Sequence, residues 1–327
     1  MISSNEKKKT YLSTIETKIF EYVKTSRLSS WMVAGVFLLL GVWYSSKTII
    51  FFPSVIALVS LGAILSSASW INFVFDKELD AQAGEDISFF NNISPKEMLI
   101  VSAIFSIVGL IILFYVNYIA VCVGIMIVLI SIFYSCPPIR LKIHPPFDSF
   151  ANILLFGTLP VLLGFTLSGN HFLTKENLVL LLLSGLIVGC YYLLIDIFDI
   201  ETDREYGIRT SCTALGLNRA INMALILFIL SIVISLFYLE IFLPMSVSLL
   251  VCLPFLIIIK VKNDIETIAK ILSCISFLWT ELVLGYLFIF SRSILPLVIF
   301  ILVIISAGYF LYVYIFIIKK SKMDKLH

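Results

Sequence analysis

Ten runs of predominantly apolar residues dominate this 327-residue chain, at 30–46, 49–75, 97–117, 119–135, 149–167, 177–195, 220–238, 241–259, 268–290 and 294–318. A hydrocarbon core of about 30 Å is crossed by roughly 20 residues at the helical rise. The runs are apolar on all sides, whereas a membrane-spanning barrel shows alternating segments of about 10 residues. The expected fold class is therefore all-α: a polytopic transmembrane helical bundle of about ten spans. Composition agrees, with 60% apolar and 13% charged residues, against about a quarter charged in soluble domains. That excludes an ordinary soluble enzyme and a disordered chain. A net charge of +2 leaves no basic excess for a phosphate backbone, so nucleic acid is excluded as a partner.

Residues 1–28 form a basic N-terminal tail with Lys7, Lys8 and Lys9 in a row and no cleavable signal pattern. It reads as a solvated tail, with a surface-lying amphipathic helix over Tyr11 to Tyr22 as the alternative. Residues 29–318 are expected to form a single transmembrane domain, followed by a short C-terminal tail over 319–327. An even number of spans places both termini on one side. That side collects 19 of the 23 Lys and Arg residues, the other only Lys47, Lys175 and Arg292; Lys270 lies within a span. The asymmetry makes the crowded side cytoplasmic. The tight junction at Asn117-Tyr118 reads as a turn between antiparallel helices. The six cysteines lack C-x-x-C spacing, which argues against a zinc site or a disulfide framework.

Nearly half of the 21 acidic residues fall in two stretches, five between Asp76 and Asp86 and five between Asp196 and Glu205. Both stretches sit at cytoplasmic ends of spans. On a helix, Asn72, Asp76 and Asp80 share one face, and the spacings of three and four put Asp196, Asp199 and Asp203 on one face too. Like charges so placed repel, and carboxylates near a bilayer are expensive. Two such rows call for a compensating cation. Oxygen ligands without histidine or thiolate favour a hard ion such as Mg²⁺, which is commonly shared with phosphate oxygens. Taken singly, each row reads equally well as solvated charge at a helix end. The pair is harder to dismiss, because Asp76 to Asp199 and Asp80 to Asp203 are both 123 residues apart, as in an internal duplication. Between the rows lies Tyr134-Ser135-Cys136-Pro137-Pro138-Ile139-Arg140-Leu141-Lys142, a proline-stopped helix end carrying two cations. Arg204 and Arg209 follow the second row. Such cations suit diphosphate oxygens, Arg by bidentate contact; as single residues they also fit ordinary loop charge. Glu281, deep in a span, reads first as a helix-packing hydrogen bond.

Three motifs together carry a resemblance. Asn72-x₃-Asp76-x₃-Asp80, the Tyr134 to Lys142 segment, and Asp196-x₂-Asp199-x₃-Asp203-x₃-Gly207-x-Arg209-Thr210 resemble the UbiA superfamily of intramembrane prenyltransferases, in order and over roughly residues 30–260. The resemblance implies a helical bundle of nine spans in which two aspartate motifs face each other across a cavity. It implies that Asn72, Asp76, Asp80, Asp196, Asp199 and Asp203 hold Mg²⁺ and the diphosphate of an isoprenyl donor, with Asp76, Asp80, Asp199 and Asp203 as the catalytic carboxylates. Tyr134, Arg140, Lys142 and Arg209 are expected at the diphosphate. The sequence departs from the family after the first motif. A basic residue and an Arg-Pro pair are usual there, and Ala81-Gln82-Ala83-Gly84-Glu85-Asp86 stands instead. The tenth run, 294–318, is one more span than the family has.

The implied activity is Mg²⁺-dependent transfer of an isoprenyl group from an isoprenyl diphosphate to a lipophilic acceptor, of quinone, lipid, chlorin or carotenoid type, within the membrane. Aromatic residues near the motifs (Phe73, Phe75, Tyr134, Tyr191, Tyr192, Phe198) fit stabilisation of an allylic cation, though each fits plain packing as well. A terpene cyclase on the same fold is the related alternative; the presence of Asp76 favours transfer. An ion-coupled transporter is the rival of another class. Its carboxylates would be expected near the midplane on broken helices, not at span ends.

Overall fold

The computed structural model describes residues 4–168, 174–262, 265–291 and 293–299, with 301 and 304. Helix α1 (Ser4–Thr25) leads into α2 (Leu28–Ser46), α3 (Phe51–Gln82), α4 (Pro95–Phe114) and α5 (Tyr118–Ser135). Then come α6 (Phe147–Ile153) and α7 (Leu159–Thr166), joined by a π-helical turn over Leu154–Thr158 into one 20-residue span, Phe147–Thr166. Helix α8 (Lys175–Ile195) runs through a 3-10 turn (Asp196–Asp199) into the short α9 (Ile200–Glu205). The short α10 (Ser211–Leu215), α11 (Leu217–Phe237), α12 (Leu239–Lys262) and α13 (Ile265–Ser291) complete the described chain.

Eight of these spans are long and apolar enough to cross a membrane, and the shorter apolar stretch Trp31–Ser46 of α2 supplies a ninth. The protein is an integral, multi-pass membrane protein. Nine of the ten expected runs are thus helices; the tenth, 294–318, lies mostly outside the described residues. The N-terminal tail departs from the solvated reading. Residues 4–25 are helical, and the last turns of α1 dock on the bundle. The Trp70 Nε1 donates to Thr25 Oγ1 at 3.1 Å, Tyr22 meets Trp70 edge-on at 5.1 Å, and Lys18 pairs with Glu97 at 2.8 Å. Burial of the aromatic pair outweighs hydration of this segment's mixed charges.

Local signals set the helix ends. Ser94, Asn117 and Thr174 accept from the backbone N–H three residues on and cap α4, α5 and α8. Asn117 also donates to the Thr166 carbonyl at 2.8 Å, which ties the expected turn to the end of α7. Pro137 and Pro138 follow the C-cap Cys136 of α5 and stop the helix. In α12, Pro244 and Pro254 lie inside the helix, and Phe242 leaves helical geometry.

Helix α2 is the axis of the bundle, and residues 36–40 along it are all buried. A helix apolar on every side belongs in a core. Where α2 crosses α7, Gly41 faces Gly164. A Cβ on Gly41 would collide with the Val161 carbonyl, and one on Gly164 with the Leu38 carbonyl, so backbone lies against backbone. Buried serines join α3 to α4: Ser60 donates to the Gly109 carbonyl at 2.6 Å, and Ser67 meets Ser106 at 2.7 Å. The outer faces are apolar and exposed, as on α4 at Ile100, Ile104, Ile107, Ile111 and Phe114. Such a belt is what lipid covers.

A candidate active site at the acidic end of the bundle

The first acidic row stands on an unbroken helix. α3 runs through Asn72, Asp76 and Asp80 to Gln82, so the expected face forms as the spacing requires. Asp76 is buried. Its Oδ1 accepts from Arg140 Nη2 at 3.1 Å and from Lys142 Nζ in a close ion pair. Both cations come from the loop after α5. Arg140 adopts a left-handed backbone conformation, φ 41°, which turns the loop back toward α3. The Lys142 side chain is only 14% exposed. Burial pulls its ammonium below the usual range, against the Asp76 and Asp80 carboxylates, which favour its charge. Asn72 accepts from Ser135 Oγ at 3.1 Å, and Tyr134, on the same helix end, accepts from Asn152 Nδ2 at 3.4 Å.

The second row departs from one continuous helix. α8 ends at Ile195, and Asp196 to Asp199 form a 3-10 turn. Residues three apart eclipse in that geometry, so Asp196 and Asp199 stay on one side while Ile197 and Ile200 are buried on the other. Asp203 follows in α9 and accepts from Thr210 Oγ1 at 3.2 Å. The two rows are brought together: the Tyr206 hydroxyl donates to the carbonyl of Gln82, the last residue of α3, at 2.6 Å. Arg209 instead lines a groove with Ile139, Leu141, Ile143, His144, Pro145 and Phe147.

Three participants escape the motif reading. Asp148, at the start of α6, is 2% exposed and accepts from the Ser211 backbone N–H at 2.6 Å and the Ser211 hydroxyl at 2.5 Å. It thereby anchors α10 and the loop behind the second row. Burial, then the negative charge of Asp196 and Asp148, pushes the neighbouring Cys212 thiol well above its usual range. The available signal was isolation: Asp148 is the sole acidic residue between Glu97 and Glu176, and a lone acid amid apolar spans has a partner or a function. The second is Arg27, between α1 and α2, whose guanidinium lies 4.9 Å from the centre of the Phe73 ring and whose charge acts on both Asp80 and Asp199. The third is Glu85, whose charge acts on Asp199. Glu281 also differs from expectation. Among the described residues neither of its buried oxygens has a hydrogen-bond partner.

Among the described residues, no three carboxylate, imidazole or thiolate groups gather into a complete cage for a metal ion. What the end of the bundle offers is two rows of carboxylates with two partly buried cations paired to the first. That arrangement suits a polyanionic ligand bridged to hard cations.

The chain matches the model of the UbiA prenyltransferase family over residues 33–270. No curated protein sequence matches it. Among solved structures, a UbiA homologue from Archaeoglobus fulgidus bound to GPP and Mg²⁺ is similar at 17% identity, with 84% of this chain and 100% of that one covered and a TM-score of 0.62. A digeranylgeranylglyceryl phosphate synthase is similar at 19% identity, covering 84% and 99%, with a TM-score of 0.63. The apo UbiA homologue from Aeropyrum pernix K1 follows at 15% identity, covering 80% and 99%, with a TM-score of 0.64. At these identities the likeness is one of fold.

Proposed function

Because this chain belongs to the UbiA prenyltransferase family, we propose that it transfers an isoprenyl group from an isoprenyl diphosphate to a lipophilic acceptor at the acidic end of the bundle. The observation that carries this reading is the convergence of Arg140 and Lys142 on buried Asp76, opposite a second row of aspartates tethered to the same helix end by Tyr206. The excess of basic residues at this end supports a cytoplasmic orientation for it.

The donor set fits Mg²⁺. It consists of oxygen ligands, since the one nearby thiol, Cys212, donates to the Leu193 carbonyl instead. Fewer than a full cage of protein ligands is the usual Mg²⁺ arrangement, because waters and substrate phosphates complete the shell. The archaeal homologue bound to GPP and Mg²⁺ supports the same pairing here. Asn72, Asp76 and Asp80 would hold the ions on one side, and Asp196, Asp199 and Asp203 on the other. When bound, Mg²⁺ neutralises the diphosphate and lowers the cost of charge developing on it.

The chain's own groups do the rest. Arg140 and Lys142 exchange part of their pairing with Asp76 for diphosphate oxygens and hold the leaving group as the carbon–oxygen bond breaks. Tyr134, which accepts from Asn152, is assigned to the diphosphate with them. Arg209, at the rim groove, meets the ligand during its approach. The apolar interior below keeps water from capturing the allylic cation before the acceptor does.

The test uses purified full-length protein, labelled geranyl diphosphate, Mg²⁺ and a lipid extract as the source of acceptor, with diphosphate release and labelled lipid both measured. Asp76→Asn and Asp199→Asn are each expected to reduce release by about a hundredfold or more. Equal release by the wild-type and both variants would overturn the assignment. Release without any labelled lipid product would favour the cyclase.

A further inference from the structure

Next to the second acidic row lies a narrow apolar chamber. Helices α2, α8, α11, α12 and α13 line it. Its α8 wall starts at Leu194 and Tyr191, just before Asp196. Following each helix away from the acidic end, the chamber finishes on bulk. Phe37 closes it on α2, Ile187 on α8, Phe228 on α11, and Trp279 with the adjoining Thr280 on α13. The Phe37 and Trp279 rings lie 5.1 Å apart, tilted by 32°, and are 1% and 5% exposed. Beyond them, Trp43 meets Tyr286 edge-on at 6.3 Å, so a second aromatic layer backs the first.

Depth follows from the helix. Seven residues separate Leu194 from Ile187 and nine separate Asp196 from it, about 10 and 14 Å at the helical rise. An extended carbon chain advances about 1.2 Å per bond, as a polypeptide's roughly 3.6 Å over three bonds shows, so the chamber takes about eight to twelve chain bonds, which is about two to three isoprene units. A further unit would have to displace close-packed aromatic rings, and overpacking a filled interior is strongly resisted.

We propose that Phe37 and Trp279 form a floor that restricts the donor's tail to two or three isoprene units, favouring geranyl and farnesyl diphosphates over geranylgeranyl diphosphate. The inference rests on the prenyl-diphosphate reading above and adds the specificity of that site.

The experiment is competition for bound radiolabelled geranyl diphosphate on full-length protein in detergent with Mg²⁺. The competitors are inorganic, geranyl, farnesyl and geranylgeranyl diphosphates. For the wild-type protein, geranyl and farnesyl diphosphates are expected to compete at least tenfold better than geranylgeranyl diphosphate. Phe37→Leu and Trp279→Leu should each reduce that ratio by threefold or more. Ile187→Phe, which shortens the chamber, should weaken farnesyl relative to geranyl diphosphate. Two variants change the floor from different helices, and the third changes the depth in the opposite sense, so misfolding of one leaves the others to decide. Equal competition by geranyl and geranylgeranyl diphosphates in the wild type, or ratios unmoved in every folded variant, would overturn the floor. If instead inorganic diphosphate competes as well as every isoprenyl diphosphate, the donor assignment itself fails.

Discussion

The two acidic rows solve the same electrostatic problem differently. On α3 the helix is continuous, and buried Asp76 is neutralised by Arg140 and Lys142 of the protein itself. On the α8–α9 side the helix breaks into a 3-10 turn, and Asp203 accepts from the Thr210 hydroxyl. Asp199 is open to solvent. The first row is a finished ion pair that can trade partners; the second is held open, with its charge to be balanced from outside. The 123-residue offset between the rows is therefore a match in spacing with different local chemistry on each side.

That contrast is most severely tested by removing a cation. Lys142→Met should leave Asp76 leaning on Arg140 alone. Breaking one partner of a buried pair costs on the order of 3 kcal/mol, and diphosphate release should fall at least tenfold. Stability and release measured on the same preparation check both. A variant as stable as the wild type would mean that Arg140 alone suffices for Asp76.

The corresponding cut behind the second row is Asp148→Asn. An amide turned to accept from the Ser211 backbone N–H presents its NH₂, a donor, to the Ser211 hydroxyl, and the charge-assisted bonds are lost. The expected cost is about 1–3 kcal/mol. Faster amide hydrogen exchange over residues 210–215, with residues 72–80 unchanged, would show that the two rows are braced independently.

Thr210→Val is a smaller perturbation. It removes the cap of α10 and the bond to Asp203 together, for about 1 kcal/mol. If release nonetheless falls as far as in Lys142→Met, then the position of Asp203 matters more than the ion pair opposite it.

The gentlest probe is pH at the end of α1. Lys24 and Asp86 pair at 2.7 Å on the exposed surface. The hydrogen bond from Lys24, and then those from Ser88, hold the Asp86 carboxyl well below its usual range. A depressed carboxyl contributes stability above its unfolded value of about 4, and that contribution is lost as pH falls through the folded value. Trp70 fluorescence, which reports contact with Tyr22 and Thr25, should hold steady from neutral pH down to about 4 and change only below. A change centred near neutrality would place the sensitivity elsewhere.

The spans were legible because a bilayer demands long apolar runs and leaves few alternatives. The α3 row was legible for the same reason: four-residue spacing on an apolar helix has one geometric meaning. The break at Asp196 was not, because spacings of three and four fit an α-helix and a 3-10 turn alike. Docking of α1 turned on an indole–hydroxyl contact between residues 45 apart, Trp70 and Thr25, which no local pattern encodes. Arg27 was one more basic residue near a terminus until Phe73 was found beneath it.

Where Gly41 and Gly164 meet, two main chains rest directly on each other, and Phe37 lies one turn away along the same helix. The bottom of the apolar hollow is thus referenced to a weld between backbones rather than to adjustable side chains. New ring sizes at Phe37 or Trp279 can retune its reach, while any methyl group added at the weld would lift the whole central strut and lose the gauge altogether.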